Sequence, residues 1–381
     1  MRIVYVTDSF AICGGIERVL TDKMNYLSSK YGYDVVLMTL YQGPHMFPFA
    51  LNVGIKHFDI NVRLNEQYEY RGLSRFYKRW KLKGLIKCRL ASAVLELKPD
   101  VLVCVKYEFV DLLCAIKGNI PLVVESHTLC NAENIEITSI FRKMHMRKVK
   151  RRIRDVDAVV ALTDGDANDW RKINSNVFVI PNVVYLNEDA SFATCQSKSV
   201  IFVGRLSKQK NVSSLLNIWE KAYLSYPDWE LHIYGEKGDV EDCIYNRLIM
   251  AKDIGVVIHK PVRNQMLEEY KKHSILVLTS SFEPFGLVLP EAMSCGVPVV
   301  SFDSPYGPAS IISDAKDGFL ISNNNEDLFV KRLCQLMSDV SLRREMGKRA
   351  IVSSRRYAED SIMPLWKKLF EELINKNPKL C

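Results

Sequence analysis

A short segment after an apolar run carries two cations that could hold a phosphate-bearing ligand. The run from Val200 to Gly204 is followed directly by Arg205 and, further on, by Lys210. If the run is a strand of a parallel sheet, both cations lie near its carboxyl end, where open α/β sheets bind ligands. A departing diphosphate gains negative charge in the transition state, and fixed cations offset that charge where it develops. The alternative is a pair of solvated surface charges.

A second segment combines two carboxylates with glycine and proline. We predict that a strand at 275–279 ends in a loop holding Glu283, and that a helix begins near Phe285 or Gly286. Free N–H groups at that helix start would face phosphates. Glu291 would lie about two turns along the helix, on roughly the side of Glu283. Carboxylates there accept hydrogen bonds from sugar or ribose hydroxyls, although a helix cap and a solvated acid would explain the same residues.

A glycine pair near the start of the chain could also meet a ligand. Gly14 and Gly15 separate an apolar run at 2–7 from a helical pattern of apolar residues. Glycine lets backbone approach a ligand closely, and a helix N-terminus attracts phosphate. A tight strand-to-helix turn is the simpler alternative.

Asp164 and Asp166 have the Asp-x-Asp spacing that can hold manganese or magnesium. They follow an apolar run and precede a helical segment, where Thr163 or Asp164 would serve as the N-cap and acids favour the first turn. We therefore interpret the pair as the start of a helix, and we expect no metal in the site.

The elements that position these residues form two series of short apolar runs alternating with amphipathic stretches. That rhythm predicts βαβ units and parallel sheets, and hence an α/β fold. The first series lies at 2–7, 34–40, 100–105, 120–125, 157–162 and 177–180. The second lies at 200–204, 229–234, 255–259, 275–279, 297–302 and 318–321.

The two series predict two Rossmann-like domains, joined by a linker near 182–197. We assign 1–182 to the first domain and 183–357 to the second. The remaining 358–381 should form a helix that packs back on the first domain, because its apolar residues recur at helical spacing. Those residues are Ile362, Leu365, Trp366, Leu369, Phe370 and Leu373.

Composition narrows the class of protein. Among 381 residues, 48% are hydrophobic and 25% charged, which is typical of folded globular proteins rather than disordered chains. The ten cysteines include no Cys-x-x-Cys pair, so we expect reduced thiols rather than disulfides or a zinc site. No secretory signal or run of about 20 apolar residues is evident, and we expect a cytoplasmic protein.

The net charge of +8 is concentrated in two basic stretches. Residues 70–92 and 142–154 each hold eight Lys or Arg and no acid, and aromatic residues lie within the first stretch. Nucleic-acid binding would use such charge, but no recognised nucleic-acid motif accompanies it. We favour contact with an anionic membrane surface through 71–89 and 142–154; the alternative is a solvated basic face.

Taken together, these motifs resemble glycosyltransferase family four, the retaining GT-B enzymes, especially those of bacterial surface-polysaccharide synthesis. The resemblance rests on the early Gly-Gly-x-Glu-Arg, the Gly-Arg-Leu with a downstream Lys, and Phe-Glu-Pro-Phe-Gly-Leu-Val-Leu-Pro-Glu-Ala-Met. It implies two Rossmann-like domains facing each other across a cleft. It also implies metal-independent transfer of a sugar from a nucleotide diphosphate donor, with retention at the anomeric carbon.

The resemblance also implies roles on the donor side. Gly14 and Gly15 would let backbone meet the donor phosphate. Arg205 and Lys210 would hold the diphosphate, and Glu291 would bind the ribose hydroxyls.

At the reacting sugar, the family pattern implies that Glu283 contacts the donor sugar near the reacting carbon. The backbone of Phe285, Gly286 and Leu287 would lie against sugar and phosphate. His127, in Val-Glu-Ser-His after a predicted strand, matches the active-site histidine of the family. Without that resemblance, a lone histidine is more often structural.

Two departures leave the base weakly determined. The loop often written Pro-Asn-Gly-Val has valine at 183, and the segment expected to bind the base is His259-Lys260-Pro261-Val262. Tyr306 to Ile312 resembles bacterial polysaccharide enzymes, which favours a UDP-hexose or UDP-N-acetylhexosamine donor and a saccharide or lipid-linked saccharide acceptor. A nucleotide-sugar epimerase, a phosphorylase and a non-catalytic sugar-nucleotide-binding protein are the alternatives.

Overall fold

The computed structural model describes residues 1–131, 140–260, 262 and 265–376, without the side chains of 140–143 and 145. Pro261, residues 377–381 and the side chains of Arg142 and Lys143 therefore lie outside the described part of the chain. The chain forms two compact units. Unit 1 is Met1–Val183 with Ile362–Cys381, and unit 2 is Val184–Ser361.

Unit 1 is built on a parallel sheet in the order β3-β2-β1-β4-β5-β6-β7. Its strands are β1 (Arg2–Thr7), β2 (Asp34–Thr39), β3 (Lys56–Asp59), β4 (Val101–Cys104), β5 (Leu122–Glu125), β6 (Ala158–Ala161) and β7 (Val177–Val179). Its helices up to the end of the sheet are α1 (Gly15–Tyr31), α2 (Gly72–Leu97), α3 (Val110–Cys114), α4 (Ile140–Ile153) and α5 (Asp164–Arg171). The strand order turns back between β1 and β4, which is where such sheets bind ligands.

Both faces of this sheet are covered, which explains the continuous apolar runs. Val4 and Val6 of β1 pack with α2 on one face, while Ile3 and Tyr5 pack with α1 on the other. The predicted strands are confirmed, but β3 was missed. Its sequence begins Lys-His, and it lies at the sheet edge with its first two residues exposed, so no apolar run marks it.

Unit 2 repeats the design with a parallel sheet in the order β10-β9-β8-β11-β12-β13. Its strands are β8 (Ser199–Val203), β9 (Glu230–Tyr234), β10 (Val256–His259), β11 (Ile275–Leu278), β12 (Val299–Phe302) and β13 (Gly318–Ile321). Its helices are α6 (Val212–Ser225), α7 (Asp242–Met250), α8 (Met266–Lys272), α9 (Val288–Ser294), α10 (Gly307–Ile311), α11 (Glu326–Ser338) and α12 (Val340–Ser354). Here the order turns back between β8 and β11, so the loops after these two strands are neighbours. The predicted α/β class with two parallel sheets is confirmed.

A last helix, α13 (Glu359–Lys376), belongs from Ile362 onwards to unit 1. It packs on the α1 face of the sheet, in one apolar cluster with Ile3 and Tyr5. Of the six apolar residues that predicted it, five are buried and Leu365 is 41% exposed. Unit 1 is therefore assembled from two segments that are far apart in the sequence.

Candidate active site

In unit 2, Lys210 and Glu283 form an ion pair at the carboxyl end of β8 and β11. Lys210 Nζ donates to Glu283 Oε2 at 2.5 Å, and their side chains are 16% and 9% exposed. The stem of Lys210 lies over Gly204, the residue after β8. Because an ammonium has three N–H donors and Glu283 takes one, two are left for another anion.

The loop that holds Glu283 is fixed on several sides. Ser280 Oγ donates to Glu283 Oε2 at 2.9 Å. Glu283 N donates to Pro305 O, and Gly307 N donates to Glu283 O, both at 2.8 Å. A Cβ on residue 307 would stand 2.0 Å from Phe285 O, so only glycine allows this close approach. The carboxylate is thus held by backbone as well as side chains.

Arg205 follows β8 directly, as predicted, but its side chain is exposed. Its stem lies against Gly238 in the loop after β9. The structure therefore places both predicted cations at the carboxyl end of β8, with Lys210 held in an ion pair and Arg205 open to solvent.

The helix predicted to begin near Phe285 or Gly286 begins instead at Val288, so that prediction was wrong by two to three residues. Gly286 has a φ of +94°, which places it outside the helix. Glu291 consequently lies in the first turn of α9 rather than two turns along. Tyr270 Oη, from α8, donates to Glu291 Oε2 at 3.0 Å.

In unit 1, Gly14 is the N-cap of α1, and the predicted strand–glycine–helix order is confirmed. The helix start already has a carboxylate of its own. Glu17 Oε2 lies 2.7 Å from the place a Cβ on residue 14 would occupy. Burial raises the pKa of Glu17, while a backbone hydrogen bond and then Lys106 lower it. A phosphate at this helix start would therefore share it with Glu17.

His127 follows β5, and its side chain is 4% exposed. Its Nε2 lies 3.2 Å from Glu125 Oε1, although the contact lacks the alignment of a hydrogen bond. Glu125 Oε1 also accepts from Lys23 Nζ. At the adjacent end of β1, Asp8 Oδ2 accepts from Lys106 Nζ at 2.7 Å. Charged groups that follow or end three neighbouring strands thus lie together at the carboxyl end of the sheet.

The Asp-x-Asp pair does not converge on one point, because Asp164 is exposed and Asp166 is buried. Asp166 accepts hydrogen bonds from Cys130 N at 2.7 Å and Trp170 Nε1 at 2.9 Å. Thr163 Oγ1 accepts from Asp166 N, which confirms the predicted N-cap. Within the described residues, no group of three or more His, Cys, Asp or Glu is placed to hold a metal ion.

Two family models together match residues 13–352 of the chain. The model described as Glycosyltransferase Family 4 matches 13–188, and the model described as Glycosyl transferases group 1 matches 188–352. The chain belongs to glycosyltransferase family four. The predicted resemblance is confirmed by this match, and the protein is a glycosyltransferase.

Relatives of this glycosyltransferase include the amylovoran biosynthesis glycosyltransferase AmsD of Erwinia amylovora. It is 26% identical over 375 residues, which cover 96% of this chain and 98% of AmsD. A poly(ribitol-phosphate) alpha-N-acetylglucosaminyltransferase of Staphylococcus aureus is 30% identical over 247 residues, covering 62% of this chain and 48% of the relative.

Solved structures with the same fold resemble this glycosyltransferase over nearly its whole length. A variant of S. aureus TarM bound to UDP has a TM-score of 0.78 at 16% identity, covering 97% of this chain and 99% of that one. Anabaena HepE with UDP and glucose has a TM-score of 0.73 at 16% identity, covering 98% and 100%. The fold is therefore GT-B.

Sequence reasoning missed several partners of the predicted site residues in this glycosyltransferase. Lys23 was missed although it stands on the apolar side of α1, between Leu20 and Met24, where a lysine is unusual. Glu125 was missed although it ends a fully buried strand. Tyr270 had no sequence signal, because its contact with α9 depends on how the two helices pack.

Proposed function

We propose that this glycosyltransferase moves a hexose or N-acetylhexosamine from a UDP-sugar to a saccharide or lipid-linked saccharide acceptor, with retention, in cell-surface polysaccharide biosynthesis. The observation that carries the proposal is the Lys210–Glu283 pair between β8 and β11. It combines a cation suited to a diphosphate with a carboxylate suited to sugar hydroxyls.

The donor assignment is supported by both the site and the neighbours. TarM and HepE are described with UDP, and HepE also with glucose. Lys210 would bind the diphosphate with its two remaining N–H groups, and Arg205 would extend from solvent to the same phosphates. Glu291 would accept hydrogen bonds from the ribose hydroxyls. The backbone of Phe285, Gly286 and Leu287 would lie along the sugar and the phosphate.

The acceptor class is supported by the relatives' names, which cover amylovoran biosynthesis and the glycosylation of poly(ribitol-phosphate). An acceptor hydroxyl on a growing saccharide chain would meet His127 in unit 1, where Gly14 and Gly15 would let backbone approach the donor phosphate.

The proposed reaction breaks the bond between the anomeric carbon and the diphosphate oxygen, and forms a bond from that carbon to the acceptor oxygen on the same face. The transition state has oxocarbenium character. The acceptor proton passes to the departing diphosphate oxygen, so no external base is consumed. Lys210 and Arg205 stabilise the leaving charge in place of a metal ion.

A panel of UDP- and GDP-sugars, each incubated with a saccharide acceptor and with or without EDTA, tests this function. We expect release of UDP that depends on the acceptor and is unchanged by EDTA. A sugar product formed from donor alone would favour an epimerase. UDP binding without turnover for any donor would favour a non-catalytic protein.

The first turns of α2 support a further part of the proposal, contact with an anionic membrane. Leu73, Phe76, Tyr77 and Trp80 are spaced i, i+3, i+4, i+7, so they share one helix face, and each is between 65% and 90% exposed. The buried side of α2 starts only at Leu82. An apolar aromatic face with cations beside it is typical of helices that lie in a lipid interface.

Cations beside that face lie near cations of the second basic stretch, residues 142–154. Burial lowers the pKa of Lys83, and the nearby charges of Arg79 on α2 and Lys148 on α4 lower it further, while those of Asp111 and Glu108 raise it. Cations of the two helices therefore lie near one another. Asp111 pairs with Lys148 and Arg152, which neutralises part of the α4 charge. Within the described residues, no helix has the length and apolarity needed to cross a bilayer.

Co-sedimentation with vesicles tests this contact. We expect binding to vesicles containing anionic lipid and little binding to neutral vesicles. Trp80→Ser combined with Phe76→Ser should weaken binding about tenfold or more, because each removes an apolar side chain from the interface. Leu95→Ser is the matched control, since Leu95 is 75% exposed on the same helix but outside the cluster. Equal binding to neutral and anionic vesicles would contradict the proposal.

A further inference from the structure

A buried ion pair lies next to His127 in unit 1. Lys23 Nζ, from α1, donates to Glu125 Oε1 at the end of β5, and each side chain is only 1% exposed. Removing two charges from water is costly, and apolar residues of similar volume often serve a core equally well. The ion pair at this place is therefore a candidate for a role beyond packing.

The carboxylate of this pair is shared with the histidine. Glu125 Oε1 faces both Lys23 Nζ and His127 Nε2, the latter at 3.2 Å. Burial opposes ionisation of Glu125, but the nearby charges of Lys23 and His127, with the hydrogen bond from Lys23, outweigh it and bring its pKa to about 2. Glu125 Oε2 has no hydrogen-bond partner within the described part of the chain. A fixed negative charge therefore lies beside the imidazole at any physiological pH.

The ammonium is held from its other side by aromatic rings. Lys23 Nζ lies 4.0 Å from the centre of the Trp366 ring, and 5.2 Å from that of Tyr5. Trp366 is a buried residue of α13. A cation over an aromatic face in a desolvated site is a favourable arrangement, so α1, β5 and α13 together fix the position of the Lys23 charge.

We infer that Glu125 is a positioning residue for His127, and that Lys23 and Trp366 keep Glu125 in place. This inference rests on the proposed role of His127 in sugar transfer. With Nε2 3.2 Å from the carboxylate, the charge of Glu125 would favour one orientation of the ring, in which Nδ1 is the nitrogen that meets a substrate hydroxyl. A carboxylate that orients an imidazole in this way acts through the ring and not on the substrate.

A double-mutant cycle on kcat separates positioning from a structural role. Glu125→Gln keeps the size of the side chain, and we expect it to lower kcat for transfer from a UDP-sugar about 10- to 100-fold, with KM for the donor within about threefold. In a His127→Ala background, the same change should lower kcat by less than about twofold. Equal losses in both backgrounds would overturn the inference and leave the proposed role of His127 intact.

Unchanged kcat in folded His127→Ala would instead refute the role of His127 and the inference with it. Glu125→Gln leaves Lys23 without its counter-charge, so the variant that combines it with Lys23→Met is measured as well. We expect the same loss of kcat from this neutral pair, whereas wild-type kcat in it would contradict the inference.

Asp157→Asn provides the control for lost stability. Asp157 accepts from Lys117 Nζ at 3.0 Å and from Leu122 N at 2.8 Å, at the opposite ends of β5 and β6 from His127. This variant should lower the melting temperature without lowering kcat. A comparable fall in kcat here would show that general loosening of unit 1 explains the effect of Glu125→Gln.

Discussion

The Lys210–Glu283 pair makes a prediction in which its two members behave differently. If the pair is only structural, Lys210→Ala and Glu283→Gln should have similar consequences. If Lys210 binds the donor diphosphate, Lys210→Ala should weaken UDP binding. Glu283→Gln should leave that binding unchanged or tighten it, because it removes a negative charge 2.5 Å from the ammonium. Turnover should fall in both, since Glu283 is proposed to contact the sugar.

The expected sizes follow from the contacts. Loss of charge-assisted hydrogen bonds from Lys210 to phosphate costs about 1.5–3 kcal/mol, which corresponds to UDP binding weaker by about 10- to 100-fold. Loss of transition-state stabilisation should lower kcat by about 10²- to 10³-fold. Lys210→Ala also leaves the carboxylate of Glu283, 9% exposed, without its cation, so the free energy of unfolding should fall by up to about 3 kcal/mol.

Isothermal titration with UDP, UDP-release kinetics and thermal unfolding measure these effects on the same samples. Lys208→Ala is the matched control, because it also removes one lysine charge, two residues before Lys210. Lys208 forms an exposed ion pair with Glu241. Its UDP affinity should stay within about threefold of wild type. Equal losses of UDP affinity in Lys210→Ala and Glu283→Gln, in proportion to their losses of stability, would contradict the role of Lys210 in donor binding.

Other consequences are open to simpler measurements. Burial raises the pKa of Asp166 to about 6, so the native state holds the proton more tightly than the unfolded state does. The free energy of unfolding should therefore fall by up to about 3 kcal/mol as pH rises from about 4 to 6. In urea unfolding, Asp166→Asn should reduce this dependence of stability on pH. The pKa of Glu125, lowered to about 2, makes stability depend on pH in the opposite direction. Its contribution is present above about pH 4.5 and lost on acidification towards pH 2, so Glu125→Gln should remove that acid-side loss. Gly307→Ala should lower the free energy of unfolding by about 1–3 kcal/mol and weaken UDP binding, because the new methyl group would push away Phe285 and the loop that holds Glu283. An unchanged free energy of unfolding would contradict this clash.

Much of the fold follows from local sequence because strands buried on both faces must be apolar along their length. The runs at 2–7 and 275–279 are clear for that reason, and β3 is missed because an edge strand with exposed residues needs no such run. The start of α9 was misplaced because Gly286 has a φ of +94°, which keeps it out of the helix, and glycine permits that backbone conformation without requiring it.

The site was predicted where a motif lies within one segment and missed where partners are distant. Arg205 and Lys210 follow a strand within one loop, so strand topology alone places them. Lys23 and Glu125 are 102 residues apart in sequence, and their pairing depends on the stacking of α1 against β5. Trp366 was predicted only as part of an apolar helix face, and its contact with a buried ammonium could not be inferred from spacing.

The return of α13 to unit 1 has a consequence for synthesis on the ribosome. Strands β1 to β7 emerge first, but the apolar surface that α13 covers stays open until residues near Trp366 have been made. Unit 2, by contrast, is encoded without interruption and can complete its own core earlier. The second unit in the sequence is thus the first that can finish folding, and the nascent first unit must be kept from aggregating in the meantime.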